Sequence, residues 1–336
     1  NPMSNIWTSS YKAIQICNQY LAEFQGLTFD ELKLNDDYRA QMFRYTNSFK
    51  EARFLRAYFY FNLVHAYGDV PYFTEMVTTD QVNSLTRTPA QEIFNAIIAE
   101  CDKLSTELPA DYTKLGLDGI APAENGRVTC YAALALKARA ALYAASPLFN
   151  PENNKDLWRR AAEANKEVIE TCTANGFKLS KYSELWGPNN WSNNEMIFVR
   201  RYNGNISTLE EYNFPMGVPG GNSGNCPTQN MVDAYEMKAT GKMWNETGSG
   251  YDASNPYAGR DPRFDMTIVQ NGDTIWPPKN ATPIEPFYGG LNAEPLSGAT
   301  PTGYVLKQYL YSDIDLTANR TTNTSHTHGL TNRQGL

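Results

Sequence analysis

The sequence predicts an all-α protein in which a tetratricopeptide-like helical repeat scaffold carries a large loop-rich portion. Two observations lead to this fold class. In residues 1–182 apolar side chains recur every three or four positions, which is the period of amphipathic helices. In residues 183–336 that period gives way to long stretches rich in Gly, Asn, Pro, Ser and Thr. We expect the second portion to pack on the first as part of one domain.

The helix predicted over residues 51–67 is the best defined. Two adjacent apolar stripes run along it, so that a wide face should be buried. One stripe is formed by Phe54, Tyr58, Phe61 and His65, and the other by Leu55, Phe59 and Leu63. Gly68 can adopt the left-handed conformation that ends a helix, and Pro71 prevents its continuation.

Four more helices follow from the same three- and four-residue spacing. Their apolar positions lie within residues 6–21, 93–104, 128–143 and 158–172. The last three of these helices start near residues 90, 127 and 156, a spacing of roughly 30 to 37 residues. This is the period of paired-helix repeats of the tetratricopeptide type.

Residues after 182 are predicted to form ordered loops built on the helical half. The apolar run 196–199 has the length of a short strand. Long loops are usually functional or disordered, and aromatic residues, which are frequent in these loops, are uncommon in disordered linkers. The loop stretches are 203–230, 238–262, 271–303 and 317–336.

Charge and hydropathy exclude several classes of function. The chain has 29 Lys and Arg against 36 Asp and Glu, a net charge of -7, so no basic surface is available for nucleic acid or an anionic membrane. No apolar run approaches the ~20 residues of a membrane-spanning helix. The sequence begins Asn-Pro-Met without a signal-peptide pattern, which leaves two alternatives: a cytoplasmic protein, or a mature chain or fragment.

No arrangement for catalysis or metal binding stands out in the sequence. The 5 cysteines are far apart and form no Cys-x-x-Cys pair, so we expect them to fill space inside helices, except that Cys226 lies in a loop of Gly, Asn and Pro and should be the most exposed. His326 and His328 lie in a Thr- and Asn-rich tail without a third ligand. Glu210 and Glu211 are adjacent and cannot face one another across a sugar. We predict no enzyme activity, no metal site and no cofactor; loop carboxylates are compatible with structural Ca²⁺, but no calcium-loop motif indicates it.

Seven sequence blocks, taken in order, resemble the SusD/RagB family of surface glycan-binding lipoproteins of Bacteroidetes-type bacteria. The blocks are EARFLRAYFYFNLVHAYGDVPYF (51–73), TPAQEIFNAIIAECDKLSTELP (88–109), GRVTCYAALALKARAALYAASP (126–147), WRRAAEANKEVIE (158–170), PTQNMVDAYEM (227–237), GRDPRFDMTI (259–268) and GYVLKQY (303–309). Their order and spacing match the family pattern, and seven blocks in order make the match specific.

The resemblance implies a tetratricopeptide-like scaffold whose irregular loops form a carbohydrate-binding face. It also implies attachment to the surface of the outer membrane of a Gram-negative bacterium through a lipidated N-terminal Cys. The implied partner is a SusC-like TonB-dependent transporter, over which such a protein closes as a lid after it has captured oligosaccharide.

Two segments of the family pattern have no counterpart in this sequence. One is the signal peptide with the lipidation Cys and the first helix. The other is the C-terminal helical segment that should follow the GYVLKQY block. We therefore expect the chain to be a fragment of a longer protein, and the membrane anchor to lie outside it.

Most charged residues of the matching blocks are expected to be structural. Arginines that begin a buried helix are normally paired, so we expect ion pairs within the scaffold. A histidine on an apolar stripe is expected to be a core residue, and charged residues at turns usually bond to the backbone. The residues concerned are Glu51, Arg53, Arg56, His65 and Asp69 in the helical half, and Arg260, Asp261 and Arg263 in a loop.

Sugar binding is the chemistry for which the loops carry the right residue types. The C–H face of a pyranose lies flat against an aromatic ring, and neighbouring amides bond to its hydroxyls. The candidate ligand-binding residues are Trp276, Tyr288, Trp244, Tyr251, Trp191, Tyr257, Asn245 and Asn292. Each aromatic ring could instead pack beneath a loop, and we expect at least two of the set to line a glycan face.

Three alternative functions stay open at this point. RagB-like relatives bind peptides, so the loop aromatics could accept oligopeptides instead of glycans. A cytoplasmic helical-repeat scaffold for protein contacts is the second alternative, and a lipoprotein signal upstream of this sequence would exclude it. A glycosidase is the third, and release of reducing ends from a glycan would establish it.

Overall fold

The structure is a computed structural model that describes residues 2–117, 126–186, 193–199, 208–275 and 283–311, with 314 and 316. These residues divide into two compact units. The helical unit comprises the described residues of Asn1–Leu179 and Asn194–Arg200. The loop unit comprises those of Ser180–Asn193 and Arg201–Leu330.

Helices account for most of the regular structure, which confirms the predicted all-α class. In the helical unit they are α1 (Pro2–Glu23), α2 (Tyr38–Tyr67), α3 (Thr79–Ser84), α4 (Ala90–Glu107), α5 (Cys130–Ala145) and α6 (Lys155–Ala174). The loop unit contains α7 (Thr208–Asn213), α8 (Gln229–Asp233), α9 (Pro262–Thr267), β1 (Ile268–Val269) and β2 (Val305–Leu306). None of the helices in the described ranges is both long and apolar enough to cross a lipid bilayer.

The long helices of the helical unit stack in a row. Helix α1 packs on α2, α2 on α4, α4 on α5, and α5 on α6. Neighbours in space are therefore neighbours along the chain, as in paired-helix repeats. The alanines of α5, among them Ala132, Ala140 and Ala144, are fully buried. Their small side chains let the flanking helices α4 and α6 approach closely.

Helix α2 ends where the sequence predicts and begins earlier. Gly68 follows its last residue with a φ of 72°, and its amide N–H donates to the carbonyl of Val64. The carboxylate of the next residue, Asp69, accepts a hydrogen bond of 2.8 Å from the backbone N–H of Ala90. The predicted turn residue thus fixes the start of α4. The first 13 residues of α2 were not predicted to be helical.

Ion pairs stabilise the helical unit, as predicted for Glu51 and Arg53. The ion pair predicted for Arg56 is absent from the described residues, where Arg56 bonds to two neutral oxygens, of Asn18 and Thr74. Arg127 forms two hydrogen bonds with Glu51, of 2.8 and 2.7 Å, in the bidentate geometry of strong charge pairs. Arg53 lies 2.6 Å from both Glu100 and Glu107. These pairs connect helices α2 and α4 and the segment before α5.

His65 is half-buried in the same unit and acts as a packing residue. Its ring stacks on Phe61 at 5.6 Å and meets Tyr143 edge to face at 5.7 Å. Its Nδ1 lies 3.1 Å from the carbonyl oxygen of Asn62. These contacts agree with the predicted structural role.

The strand predicted for residues 196–199 does not form. These residues belong to the helical unit, and the ring of Phe198 packs edge to face on Phe54 of α2 at 5.5 Å. The apolar run is therefore buried against a helix and pairs with no strand. The ladder that does form joins β1 and β2, antiparallel, with Ile268 opposite Leu306 and Val269 opposite Val305.

The loop unit has two small apolar cores on opposite faces of this ladder. Successive residues of a strand point to opposite sides, so Ile268 and Val269 contribute to different clusters. Val269 packs with Phe214 and Ile284, and Ile268 packs with the second cluster. The loops between these elements are therefore attached to packed cores.

Candidate functional site

All eight sequence-predicted site residues belong to the loop-rich part of the chain. Trp191 and Trp276 lie outside the described residues. Of the other six residues, five lie in two loops and one packs against an apolar core. Tyr288 and Asn292 share one loop, Trp244, Asn245 and Tyr251 share another, and Tyr257 packs within a core.

The ring of Tyr288 projects into solvent from a short turn. Tyr288 is 80% exposed, and its neighbour Phe287 is 51% exposed. The turn is closed by hydrogen bonds from the N–H of Gly289 to the carbonyl of Glu294 and from that of Gly290 to Phe287, of 2.6 and 2.8 Å. A large aromatic ring exposed on a hydrogen-bonded turn is available for contact with a ligand.

Asn292 fixes this turn to the body of the loop unit. Its side chain is fully buried. Its Oδ1 accepts a hydrogen bond of 2.9 Å from the N–H of Glu285, and its Nδ2 donates one of 2.7 Å to the carbonyl of Met216. Both ends of the amide are therefore occupied within the protein. Asn292 positions the turn that carries Tyr288, and its own amide faces no solvent.

The tight path of the turn also depends on a glycine. At Gly290 the backbone runs so close to the carbonyl of Glu285 that a Cβ atom would overlap it. Leu291, the next residue, is exposed. The turn therefore presents Phe287, Tyr288 and Leu291 together as an exposed apolar group.

Trp244 and Tyr251 are brought into contact by a compact loop. Their rings meet at 5.4 Å with an interplanar angle of 62°. The hydroxyl of Ser249 donates a hydrogen bond of 3.1 Å to the carbonyl of Trp244, which holds the loop closed. Both rings are half-buried, and the side chain of Asn245 beside them is exposed. These three residues form a second aromatic surface with an amide at its edge.

A buried arginine supports this second surface. The guanidinium of Arg260 lies 5.3 Å from the ring centroid of Tyr251, in a cation–π contact. Its Nη1 donates to the carbonyl of Tyr235 and its Nε to that of Pro256, at 2.8 and 3.0 Å. Arg260 therefore anchors the loop through backbone carbonyls, as predicted, and fixes the position of Tyr251.

Asp261 and Arg263 have the predicted anchoring role as well. Asp261 caps α9 by accepting a hydrogen bond of 2.8 Å from the N–H of Arg263. The side chain of Arg263 adds two more bonds to the carboxylate, of 2.9 and 2.6 Å. The hydrogen bond from the Arg263 side chain is the main cause that lowers the pKa of Asp261 to about 2. This carboxyl is therefore ionised at neutral pH and is no source of a catalytic proton.

Tyr257 lies in a packing position. Its ring stacks on Phe264 at 5.9 Å with an interplanar angle of 14° and meets Tyr304 at 6.2 Å. Within the described residues, no group of three or more His, Cys, Asp and Glu side chains is placed to hold a metal ion.

The prediction omitted Phe287 and Leu291, although both are exposed beside Tyr288. One signal in the sequence could have found them. The run Phe-Tyr-Gly-Gly-Leu places two aromatic residues directly before a pair of glycines. Such glycines favour a tight turn, and side chains at the tip of a tight turn cannot all be buried.

Comparison with known families gives two consecutive matches along the chain. Residues 1–142 match a model described as starch-binding and associating with the outer membrane, of the SusD-like type. Residues 160–331 match the SusD family model, also named SusD/RagB. The second match alone covers more than half of the chain.

Individual relatives give the same result. A SusD-like protein, P25, of Formosa agariphila is 24% identical over 80% of this chain and 49% of its own length. A second, P2, of the same organism is 25% identical over 61% of this chain and 35% of its own length. The chain thus spans half or less of the length of these curated relatives.

Solved structures share the fold. A SusD-like carbohydrate-binding protein of Bacteroides fragilis aligns with a TM-score of 0.69 and 24% identity, over 96% of this chain and 57% of its own. A structure described as a laminarin-binding SusD-like protein aligns with a TM-score of 0.57 and 22% identity, over 97% of this chain and 63% of its own. With the family matches, these findings show that the chain belongs to the SusD/RagB family.

Proposed function

We propose that this chain binds oligosaccharide without catalysis, through exposed aromatic side chains of the loop unit. The observation that carries the proposal is the ring of Tyr288, which is 80% exposed on a turn closed by backbone hydrogen bonds. The surface formed by Trp244, Asn245 and Tyr251 supplies a second place for contact with the same class of ligand.

The physical basis is the fit between a sugar ring and an aromatic ring. The axial C–H groups of a pyranose are slightly positive, and the face of an aromatic ring is negative. Burial of the two apolar faces against one another adds a favourable hydrophobic contribution. Because Asn292 and Gly290 already fix the turn, little conformational entropy is lost when a ligand is bound.

Family membership supports a glycan as the ligand. The family model over residues 1–142 is described as starch-binding, and two structures with the same fold are described as carbohydrate-binding and laminarin-binding. We infer that the whole protein is attached to the outer-membrane surface by a lipid anchor. There it delivers the captured oligosaccharide to a SusC-like TonB-dependent transporter.

Native affinity electrophoresis against a polysaccharide panel that includes starch and laminarin tests the binding claim. We expect at least one polysaccharide to retard the chain. Tyr288→Ala should abolish or strongly reduce the retardation, and Trp244→Ala should reduce it. Tyr288→Phe, which keeps the ring, should behave as the unchanged chain.

Trp158→Ala is the matched control for Trp244→Ala, because Trp158 is also partly exposed but lies on α6 in the helical unit. It should leave retardation unchanged. If no polysaccharide retards the folded chain, the proposal is wrong, and a panel of oligopeptides becomes the next test. If Trp158→Ala has the same effect as Tyr288→Ala, the loop unit is not the binding face.

A further inference from the structure

The helical unit contains a small polar cavity that none of the roles described so far uses. It has a volume of about 220 Å³ and lies between α2, α4 and the segment that follows Gly68. Its polar lining residues are Arg53, Arg56, Tyr60, Tyr72, Thr74 and Glu100. Pockets that enclose whole drug-sized ligands usually have roughly 300–1,000 Å³, so this cavity is suited to a ligand smaller than these.

The two arginines of the cavity differ in their partners. Arg53 is neutralised, because its Nε and Nη1 lie 2.6 Å from the carboxylates of Glu100 and Glu107. Glu107 does not line the cavity. Arg53 is therefore part of the scaffold ion pairs described above.

Arg56 has no carboxylate partner among the residues that the structure describes. Its Nη1 donates to two neutral acceptors, Oδ1 of Asn18 at 2.9 Å and the carbonyl of Thr74 at 2.7 Å. These two bonds fix the plane of the guanidinium. Within the described part of the chain, the N–H groups of its Nε and Nη2 have no partner. A fixed guanidinium with a free pair of donors matches the two oxygens of a carboxylate.

Tyr72 supplies a further donor to the cavity. Its hydroxyl has no hydrogen-bond partner in the described ranges, and its ring packs against Tyr60 at 4.5 Å. Burial raises the pKa of Tyr72, so the hydroxyl is protonated at neutral pH and can donate. The charge of Arg56 lowers that pKa more than the charge of Glu100 raises it.

Glu100 provides the acceptor that a purely anion-binding site would lack. Its Oε1 accepts from Arg53, and its Oε2 has no partner among the described residues. A ligand that combines a carboxylate with hydroxyl groups could use all three side chains. The carboxylate would lie on Arg56 and Tyr72, and a hydroxyl would donate to Glu100.

From these contacts the geometry points to a binding site for one carboxylate-bearing sugar, a uronate, in the cavity between Arg56, Tyr72 and Glu100. That the ligand is a sugar rests on the proposed function. The site belongs to the helical unit, and it gives the protein a preference for acidic glycans.

Saturation-transfer NMR titration with three probes tests this site: D-galacturonate, D-galactose and acetate. Galacturonate should bind saturably and about tenfold or more tightly than galactose, since the charged bond to Arg56 is lost with the neutral sugar. Acetate should compete with galacturonate only weakly, because it lacks the hydroxyl groups. Added salt should weaken galacturonate binding.

Tyr72→Phe is the decisive variant. It removes a hydroxyl that bonds to no described residue, so the fold should be unchanged, whereas substitution of Arg56 would also break its bonds to Asn18 and Thr74. We expect galacturonate binding to weaken about three- to tenfold. Tyr143→Phe, a tyrosine on α5 that does not line the cavity, is the matched control and should have no effect.

Three results would overturn the site: equal affinity for galacturonate and galactose, competition by acetate as strong as galacturonate itself, or no effect of Tyr72→Phe. Tyr288→Ala should leave galacturonate binding unchanged, which separates this site from the proposed loop face. If polysaccharides retard the chain but galacturonate does not bind, this inference is wrong and the proposed function stands. If galacturonate binds through Tyr72 but no polysaccharide is retained, the site stands and the proposed function fails.

Discussion

The two units of this molecule are stabilised in different ways. In the helical unit, apolar side chains at helical spacing form one continuous core, which includes Phe54, Phe94 and the alanines of α5. In the loop unit, two small cores flank a ladder of two residue pairs, and buried polar side chains such as Asn292 and Arg260 fix the loops. The comparison shows that apolar side chains buried at regular spacing form the scaffold, whereas single hydrogen-bonded side chains fix the loops of the second unit.

Removal of a core ring in the helical unit should have the largest effect on stability. Phe54 is fully buried and contacts both Tyr58 and Phe198. Phe54→Ala should lower the free energy of unfolding by about 3–5 kcal/mol, because it leaves a cavity in a close-packed core. Urea denaturation measures this change. Ile169→Ala, at an exposed position of α6, should change it by less than about 0.5 kcal/mol.

Loss of the two side-chain hydrogen bonds of Asn292 in the loop unit should have the next largest effect on stability. Asn292→Ala leaves the N–H of Glu285 and the carbonyl of Met216 unpaired in a buried place, which should destabilise the unit by about 2–3 kcal/mol. Glycan binding should weaken too, although Asn292 faces no ligand. The exposed Asn245 serves as control, since Asn245→Ala should not affect stability. Unchanged stability in Asn292→Ala would show that the turn is stable without the hydrogen bonds of Asn292.

Removal of the ion pair between α2 and the segment before α5 tests whether charged residues contribute to the stability of the scaffold. Glu51→Gln removes the bidentate pair with Arg127 and weakens the bond from Tyr112, which should cost about 1.5–3 kcal/mol. The exposed pair of Arg159 and Asp156 is the comparison, and Arg159→Gln should cost under about 1 kcal/mol. Equal effects of the two variants in urea denaturation would contradict a special role for Glu51.

The smallest effect should be the acid sensitivity of the loop unit. The pKa of Asp261 is lowered to about 2 by Arg263, so its stabilising contribution is present above the ordinary pKa of an aspartate. That contribution should be lost as the pH falls towards 2. An NMR titration should find the Asp261 carboxyl midpoint well below that of an exposed aspartate, and Asp261→Ala should cost about 1 kcal/mol through loss of the cap. An ordinary midpoint would rule out the interaction with Arg263.

The sequence predicted helices best where buried apolar residues recur at regular spacing along the chain. Helices α4, α5 and α6 have ends within a few residues of the predicted ones, since their apolar faces pack against one another. The first turns of α2 were missed because they lack an apolar stripe. There the buried residues are Ala40 and Asn47. The Nδ2 of Asn47 donates a hydrogen bond of 2.8 Å to the hydroxyl of Tyr112, 65 positions along the chain. No local pattern signals such a contact.

The candidate site depends even more on contacts between distant residues, so the sequence predicts it less well than the helices. The sequence marks aromatic residues beside amides, but it does not determine which rings meet, as Trp244 and Tyr251 do, and which are packed, as Tyr257 is. Asn292 matched the pattern of a sugar-binding amide, yet the structure shows both its polar ends bonded within the loop. Exposure in loops depends on hydrogen bonds between distant residues, which residue spacing does not encode.

The central claim is that the loop unit binds glycan through exposed aromatic rings. Its most direct test is a calorimetric titration of the glycan selected by electrophoresis into the unchanged chain, Tyr288→Ala and Tyr288→Phe. We predict that Tyr288→Ala raises the Kd about tenfold or more, because the apolar stacking surface is lost, whereas Tyr288→Phe leaves it nearly unchanged. An unchanged Kd in folded Tyr288→Ala would contradict the claim.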